Sequence, residues 1–168
     1  AMHVLRGDNL GVAAQVLIHS ADTITGLSRD VPEEVRTLMA NFWPGLLSFN
    51  LRPNMGLRWN LGDNQSLDRF SVRAPQAPFV SELLKVSGPL AMASAPRARL
   101  PPVLSADDIW VLESALAAKF DGGTLESGPA TTVIEADANG LSILREGAIT
   151  REALGAHVPA LLVDEPIE

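Results

Sequence analysis

The stretch from Arg69 to Pro96 constrains the fold more than any other part of the chain. Phe70 and Val72 alternate with Ser71 and Arg73, the period-two pattern of a strand with one apolar face. Pro75 and Pro78 punctuate a turn, and Phe79 to Val86 reads as a helix. Ser87-Gly88-Pro89 then leads into a second apolar strand at Leu90-Ala91-Met92. Strand, helix and strand in this order have the grammar of a βαβ crossover, which places the chain in the α/β class. The second strand, read as buried, leaves through Ala93-Ser94-Ala95-Pro96. Ligands of α/β proteins commonly sit at such exits, so Ser94 is a candidate binding residue.

Flanking segments extend this architecture. Val12 to Ile18 reads as a buried strand, with Ser20 capping a short helix through Gly26. Ser28 or Asp30 is expected to cap a helix carrying Val35, Leu38, Met39 and Phe42 at helical spacing, ended by Trp43-Pro44-Gly45. Leu46 to Leu51 is a strand, and Arg52 to Ser66 a polar loop that closes as an extended hairpin. Ser105 is expected to cap a helix from Ala106 to about Phe120. Thr131 to Ala136 and Leu141 to Arg145 read as strands joined at Asn139-Gly140, a hairpin signal. A short helix from Arg151 and an apolar segment at Ala160 to Val163 follow. Trp43 and Trp110 are expected to be packing anchors, while Trp59, beside Arg58, is either that or an interaction site.

The 168 residues suit one domain, residues 1–168, with no linker dividing it. A net charge of −7 argues against a broad electrostatic grip on nucleic acid. The positive charge is eleven arginines against two lysines, which suits bidentate contact with phosphate or carboxylate. Cysteine is absent, which excludes disulfides and thiol catalysis and fits a cytoplasmic setting. His3, His19 and His157 lack ligand spacing, so no metal site is expected. No apolar run approaches the ~20 residues of a membrane span, and the first residues lack the pattern of a signal peptide. Ala1-Met2 reads as one appended residue before a native start near His3.

Four landmarks occur in one order: Phe42-Trp43-Pro44-Gly45 before a strand; Ser71-Val72-Arg73-Ala74-Pro75 before a helix; Met92-Ala93-Ser94-Ala95; and Leu144-Arg145-Glu146-Gly147-Ala148-Ile149, preceded by Thr131-Thr132-Val133-Ile134. Together, over about Leu10 to Ile149, they resemble the YrdC-like family, the threonylcarbamoyl-AMP synthases. The resemblance implies a single-domain twisted mixed parallel/antiparallel sheet with flanking helices and a locally positive cleft. It also implies formation of threonylcarbamoyl-AMP and pyrophosphate from ATP, L-threonine and bicarbonate, for tRNA modification; some members have been described as binding double-stranded RNA.

Matched position by position, the resemblance assigns nucleotide or phosphate contacts to Arg73, Ser94, Thr132 and Arg145. Arg6, the nearest match to the family's Lys-x-Arg, is a further candidate substrate contact, and Arg97 and Arg99 form a basic patch that reads either as a solvated loop or as a lid over a nucleotide or RNA phosphate. Several positions depart from the family pattern. Pro96 replaces the asparagine of Ser-x-Asn, and proline has neither a polar side chain nor an N–H. Asp8 stands where a second basic residue is expected, and Glu146 replaces a proline beside Arg145. Glu146 is expected to weaken the local positive potential or to form a surface ion pair with Arg145. The family's first strand and its Pro-Thr-Asp-Thr-x-Tyr-Gly segment have no counterpart, and tyrosine is absent altogether.

These departures favour a degenerate member that binds a nucleotide, RNA or a protein partner with synthesis lost or impaired. The alternatives are an active synthase whose gene start is misplaced, using ATP with magnesium, and a non-catalytic interaction domain with a closed cleft. No cofactor is expected on the protein alone. An open sheet edge or uncovered apolar face is expected where the first strand is missing, and with it a homodimer or a rearranged N-terminus.

Overall fold

A computed structural model describes residues 13–63, 68–95, 100–109 and 113–162. The α/β expectation holds. Six strands form one mixed sheet in the order β4-β1-β3-β2-β5-β6. They are β1 (Gln15–Leu17), β2 (Leu47–Leu51), β3 (Phe70–Arg73), β4 (Leu90–Met92), β5 (Thr132–Asp137) and β6 (Gly140–Arg145). β1 runs parallel to β3 and β2 parallel to β5, and the remaining neighbours are antiparallel. The helices are α1 (Ile24–Leu27), α2 (Glu33–Phe42), α3 (Pro78–Ser87) and α4 (Arg151–Gly155).

One sheet face carries the core. Val16, Phe49, Leu51, Phe70, Val72 and Ile134 are buried there and cluster with Val35, Leu38 and Met39 of α2. α2 forms because these three residues fall on one helical stripe and Glu33 and Glu34 occupy the first turn, where the helix dipole favours acids. Neither Ser28 nor Asp30 caps it. Pro32 holds the N-cap position without a side-chain bond, and the Ser28 hydroxyl instead donates to Arg52 O at 2.7 Å. The helix ends as expected at Trp43, before a cis Trp43–Pro44 bond. The Trp43 indole donates to Leu47 O at 2.7 Å and its ring meets Phe49 edge-on, so it anchors the corner.

Four local expectations change. The β3–α3–β4 unit is not a parallel crossover: Leu17 pairs with both Arg73, the last residue of β3, and Leu90, the first of β4. The chain therefore re-enters the sheet at the end it left. α3, about 15 Å long, carries it sideways past β1 rather than back along the sheet, so β4 runs antiparallel to β1. Second, β4 is not buried. It is the edge strand among the described residues, and Leu90 and Ala91 are exposed. Third, the 52–66 loop does not extend the β2–β3 hairpin. The ladder stops at Leu51↔Phe70, and the loop folds back onto α1 and β1 through Asn54 N–H to Leu27 O (2.9 Å) and Ala14 N–H to Leu61 O (2.8 Å). Trp59 on this loop packs edge-on against Phe70.

The fourth change concerns the helix expected over 106–120. Ser105 does cap a turn, accepting from Asp107 N–H at 3.2 Å, but the turn is a 3-10 piece, Ala106–Asp108, with a second at Glu113–Ala115. Residues 116–131 have no regular structure and lie mostly exposed. Helical propensity alone does not sustain a helix of this length. Trp110 falls outside the described residues, as does Val12 at the start of the expected first strand. The β5–β6 hairpin forms as read, with Gly140 at φ 130° and the Asp137 carboxylate accepting from Asn139 N–H at 2.7 Å.

Candidate functional site

Strand alternation puts a polar surface on the sheet face opposite the core. Its composition follows from the register. At the Arg73 level, one row runs Leu90, Leu17, Arg73, Ser48, Val133 and Arg145 from β4 to β6; Ser48 faces Arg73 by extension of the Phe49↔Val72 pairing. The next row runs Met92, Gln15, Ser71, Asn50 and Glu135, with Gln15 placed beside Ser71 by extension of Val16↔Val72. The Gln15 amide confirms the placement. Its Nε2 donates to both Ser48 Oγ and Ser71 Oγ, each at 3.0 Å.

Arg73 is the chemically distinctive member. Its Nε is buried and has no hydrogen-bond partner, and burial pushes the guanidinium pKa below its usual value. Among the described residues no carboxylate pairs with it. Glu135, on the same face, lies 3.9 Å from Arg69, whose guanidinium also donates to Ala136 O at 2.9 Å. An unsatisfied, desolvated donor on a cation is costly to keep.

Arg145 is set differently. It is exposed, and Thr131 aims it: Nε donates to Thr131 O at 3.0 Å and Nη2 to Thr131 Oγ1 at 2.7 Å. The expected pairing with Glu146 is not formed. The Glu146 carboxylate turns to the start of α4 and accepts from Arg151 N–H at 3.3 Å, where the helix dipole favours an acid.

Thr132 does not face the polar surface. It lies on the core side, wholly buried, and its hydroxyl donates to Ile149 O (2.6 Å) and accepts from Gly147 N–H and Ile149 N–H (both 3.0 Å). It fastens the 146–149 turn next to Arg145. Gly147 is required there, because a Cβ would stand 2.3 Å from Ala130 O and 2.6 Å from Thr131 C.

The sequence-derived residues therefore do not converge on one point. Arg73 and Arg145 share a row but lie three strand spacings apart, about 14 Å. Ser94 lies two residues past the end of β4, which runs away from the Arg73 level. These separations suit an elongated ligand, not a compact phosphate clamp. Arg6, Arg97, Arg99, Asp8 and Pro96 lie outside the described residues. Gln15, Ser48 and Ser71 were not singled out as site residues, although Leu47-Ser48-Phe49-Asn50 shows the same alternation that marked Ser71 and Arg73. Among the described residues no group of three or more His, Asp or Glu side chains could hold a metal ion, and no helix is long and apolar enough to cross a membrane.

The sequence pattern of the Sua5/YciO/YrdC family, described as "Telomere recombination", matches residues 11–147. The chain belongs to this family. A Mycobacterium tuberculosis protein named putative threonylcarbamoyl-AMP synthase is 32% identical over 150 residues, covering 89% of this chain and 67% of the relative. The Bacillus subtilis threonylcarbamoyl-AMP synthase is 31% identical over 157 residues, which cover 89% of this chain and 44% of that protein. Among solved structures, P. abyssi Sua5 complexed with L-threonine superposes with a TM-score of 0.81 at 24% identity, over 94% of this chain and 46% of that one. E. coli YciO gives 0.68 at 22% identity, over 87% and 71% of the respective chains. These two likenesses establish the fold, a single-domain YrdC-like α/β sheet.

Proposed function

We propose that this YrdC-like domain carries the adenylate-forming site of a threonylcarbamoyl-AMP synthase acting in tRNA modification. The reading rests above all on Arg73, a half-buried arginine whose Nε is unpaired on an otherwise uncharged stretch of the polar face. The names of the relatives above give that cation its substrate. In the reaction, the carbamate oxygen of N-carboxylated L-threonine, not its α-carboxylate, attacks the α-phosphorus of ATP. The bond to the β-phosphate bridging oxygen breaks and pyrophosphate leaves. Negative charge grows on the phosphoryl oxygens during the attack, and a preorganised guanidinium stabilises it. Arg73 takes that role, and Arg145, aimed by Thr131, holds a second part of an extended substrate.

Glu146 no longer argues against activity, since its carboxylate serves α4 and does not neutralise Arg145. The chain is expected to release pyrophosphate from ATP only when L-threonine and bicarbonate are both supplied. Calorimetry with ATP alongside the release assay separates the readings. Binding of ATP with no threonine-dependent release would replace the synthase by a nucleotide-binding module.

A further inference from the structure

Gln15 has no part in the reaction just described, yet its side chain ties together two strands on the site face. Both hydrogens of its amide nitrogen are used, one on Ser48 Oγ and one on Ser71 Oγ. Ser48 is wholly buried, so it anchors the amide, while Gln15 and Ser71 remain part-exposed. A serine oxygen that accepts from Gln15 keeps its own hydrogen, and that hydrogen cannot point back at the amide nitrogen. Ser71 is thereby held as a hydrogen-bond donor to whatever lies on the face.

Arg73 follows two residues along the same strand and the same side, about 7 Å from Ser71. That backbone spacing puts the two side chains side by side on the face, as neighbours that one phosphate or carboxylate group could bridge. The two positions offer the Ser71 O–H and the Arg73 guanidinium as donors, and no carboxylate. Glu135, in the same row as Ser71, is two strands away and beside Arg69. We infer that Gln15 is a positioning residue that builds an oxyanion seat from Ser71 and Arg73. The seat takes either the α-phosphate of the nucleotide or the carboxylate of the amino acid. This deepens the synthase reading and rests on it for the choice of those two sources.

Gln15→Glu tests it. A carboxylate has no hydrogens to give, so it accepts from both serines, turns the Ser71 hydrogen inward and adds negative charge beside the seat. Calorimetry on the full chain is expected to show about 10- to 100-fold weaker binding of AMP with adenosine unaffected, if the oxyanion is phosphate. If it is the carboxylate, the same loss falls on L-threonine and not on L-threoninol. Ser71→Ala, which cannot misfold through a buried charge, is expected to reproduce the direction with a loss of about tenfold or less. Equal losses for AMP and adenosine, or no loss for either charged ligand, would overturn the seat. If the wild-type chain releases no pyrophosphate, the synthase reading fails alone. The seat is then read with inorganic phosphate: a shift of the Ser71 amide resonance present in wild type and lost in Gln15→Glu supports it, and no shift in wild type overturns it.

Discussion

Replacing Arg73 by methionine is expected to lower threonine-dependent pyrophosphate release by about 10²–10³-fold while leaving the melting temperature unchanged or raised. The two halves of this result come from one cause. The Arg73 Nε–H is buried without an acceptor, so the folded protein holds a partly desolvated cation with an unmade hydrogen bond. Burial depresses the pKa of the group, which means that the charged form is disfavoured in the fold relative to the unfolded chain. The sign follows directly. A base with a lowered pKa in the folded state destabilises the fold wherever it is protonated, and arginine stays protonated throughout the working range. Removing the charge while keeping most of the apolar stem relieves that cost. Activity moves the other way, because the part-exposed guanidinium of the same side chain is what an incoming phosphoryl group would engage. A melting temperature well below wild type would mean that Arg73 is a structural residue, and unimpaired release would remove it from the site. Strain held at a site and compensated by the rest of the fold is the pattern this pair of measurements looks for.

Much of this was legible in the chain, and what was not has identifiable reasons. The Phe70-Ser71-Val72-Arg73 alternation marks both the strand and the side Arg73 occupies, since side-chain direction in a strand is a local property. The direction of β4 is not local. It depends on β1 occupying the place beside β3, which no feature of Leu90-Ala91-Met92 encodes. For the same reason a parallel crossover would put the exits of β3 and β4 at one edge, whereas antiparallel entry of β4 turns its exit to the opposite one. The helix expected after Ser105 does not form over the described residues: 106–108 and 113–115 are short 3-10 pieces and 116–120 are irregular, which local propensity alone does not foretell. Gln15 escaped notice because a lone glutamine in an apolar run carries no motif. Its meaning appears only when Ser48 and Ser71, 33 and 56 residues away, are brought to it. Family membership, by contrast, rested on ordered local landmarks, and those are what a sequence preserves best.

Thr132 is where reading a polar residue as a ligand contact and reading it as a structural fastener give opposite expectations. Its hydroxyl makes one donated and two accepted bonds, all to backbone of the 147–149 turn. Thr132→Val keeps the shape and removes all three, leaving two N–H groups and one carbonyl without a partner beside a wholly buried side chain. At about 1–3 kcal/mol per unsatisfied group, with partial relief from water where the turn is exposed, a loss of about 3 kcal/mol is expected. For a domain of this size that lowers the melting temperature by roughly 6–12 °C. Thr132→Ser retains the hydroxyl and is expected to recover most of the loss. Gly147→Ala is expected to damage the same turn by another route, since every near neighbour of the added Cβ is backbone that cannot rotate away. Activity should fall in step with stability in Thr132→Val and return in Thr132→Ser, because Thr131, which aims Arg145, is the next residue along. A Thr132→Val chain that melts with wild type but no longer binds ATP would reverse the assignment and make the hydroxyl a ligand contact. Equal destabilisation by valine, which keeps the methyl, and serine, which keeps the hydroxyl, would mean that the hydroxyl is not the dominant contribution and that the methyl matters as much.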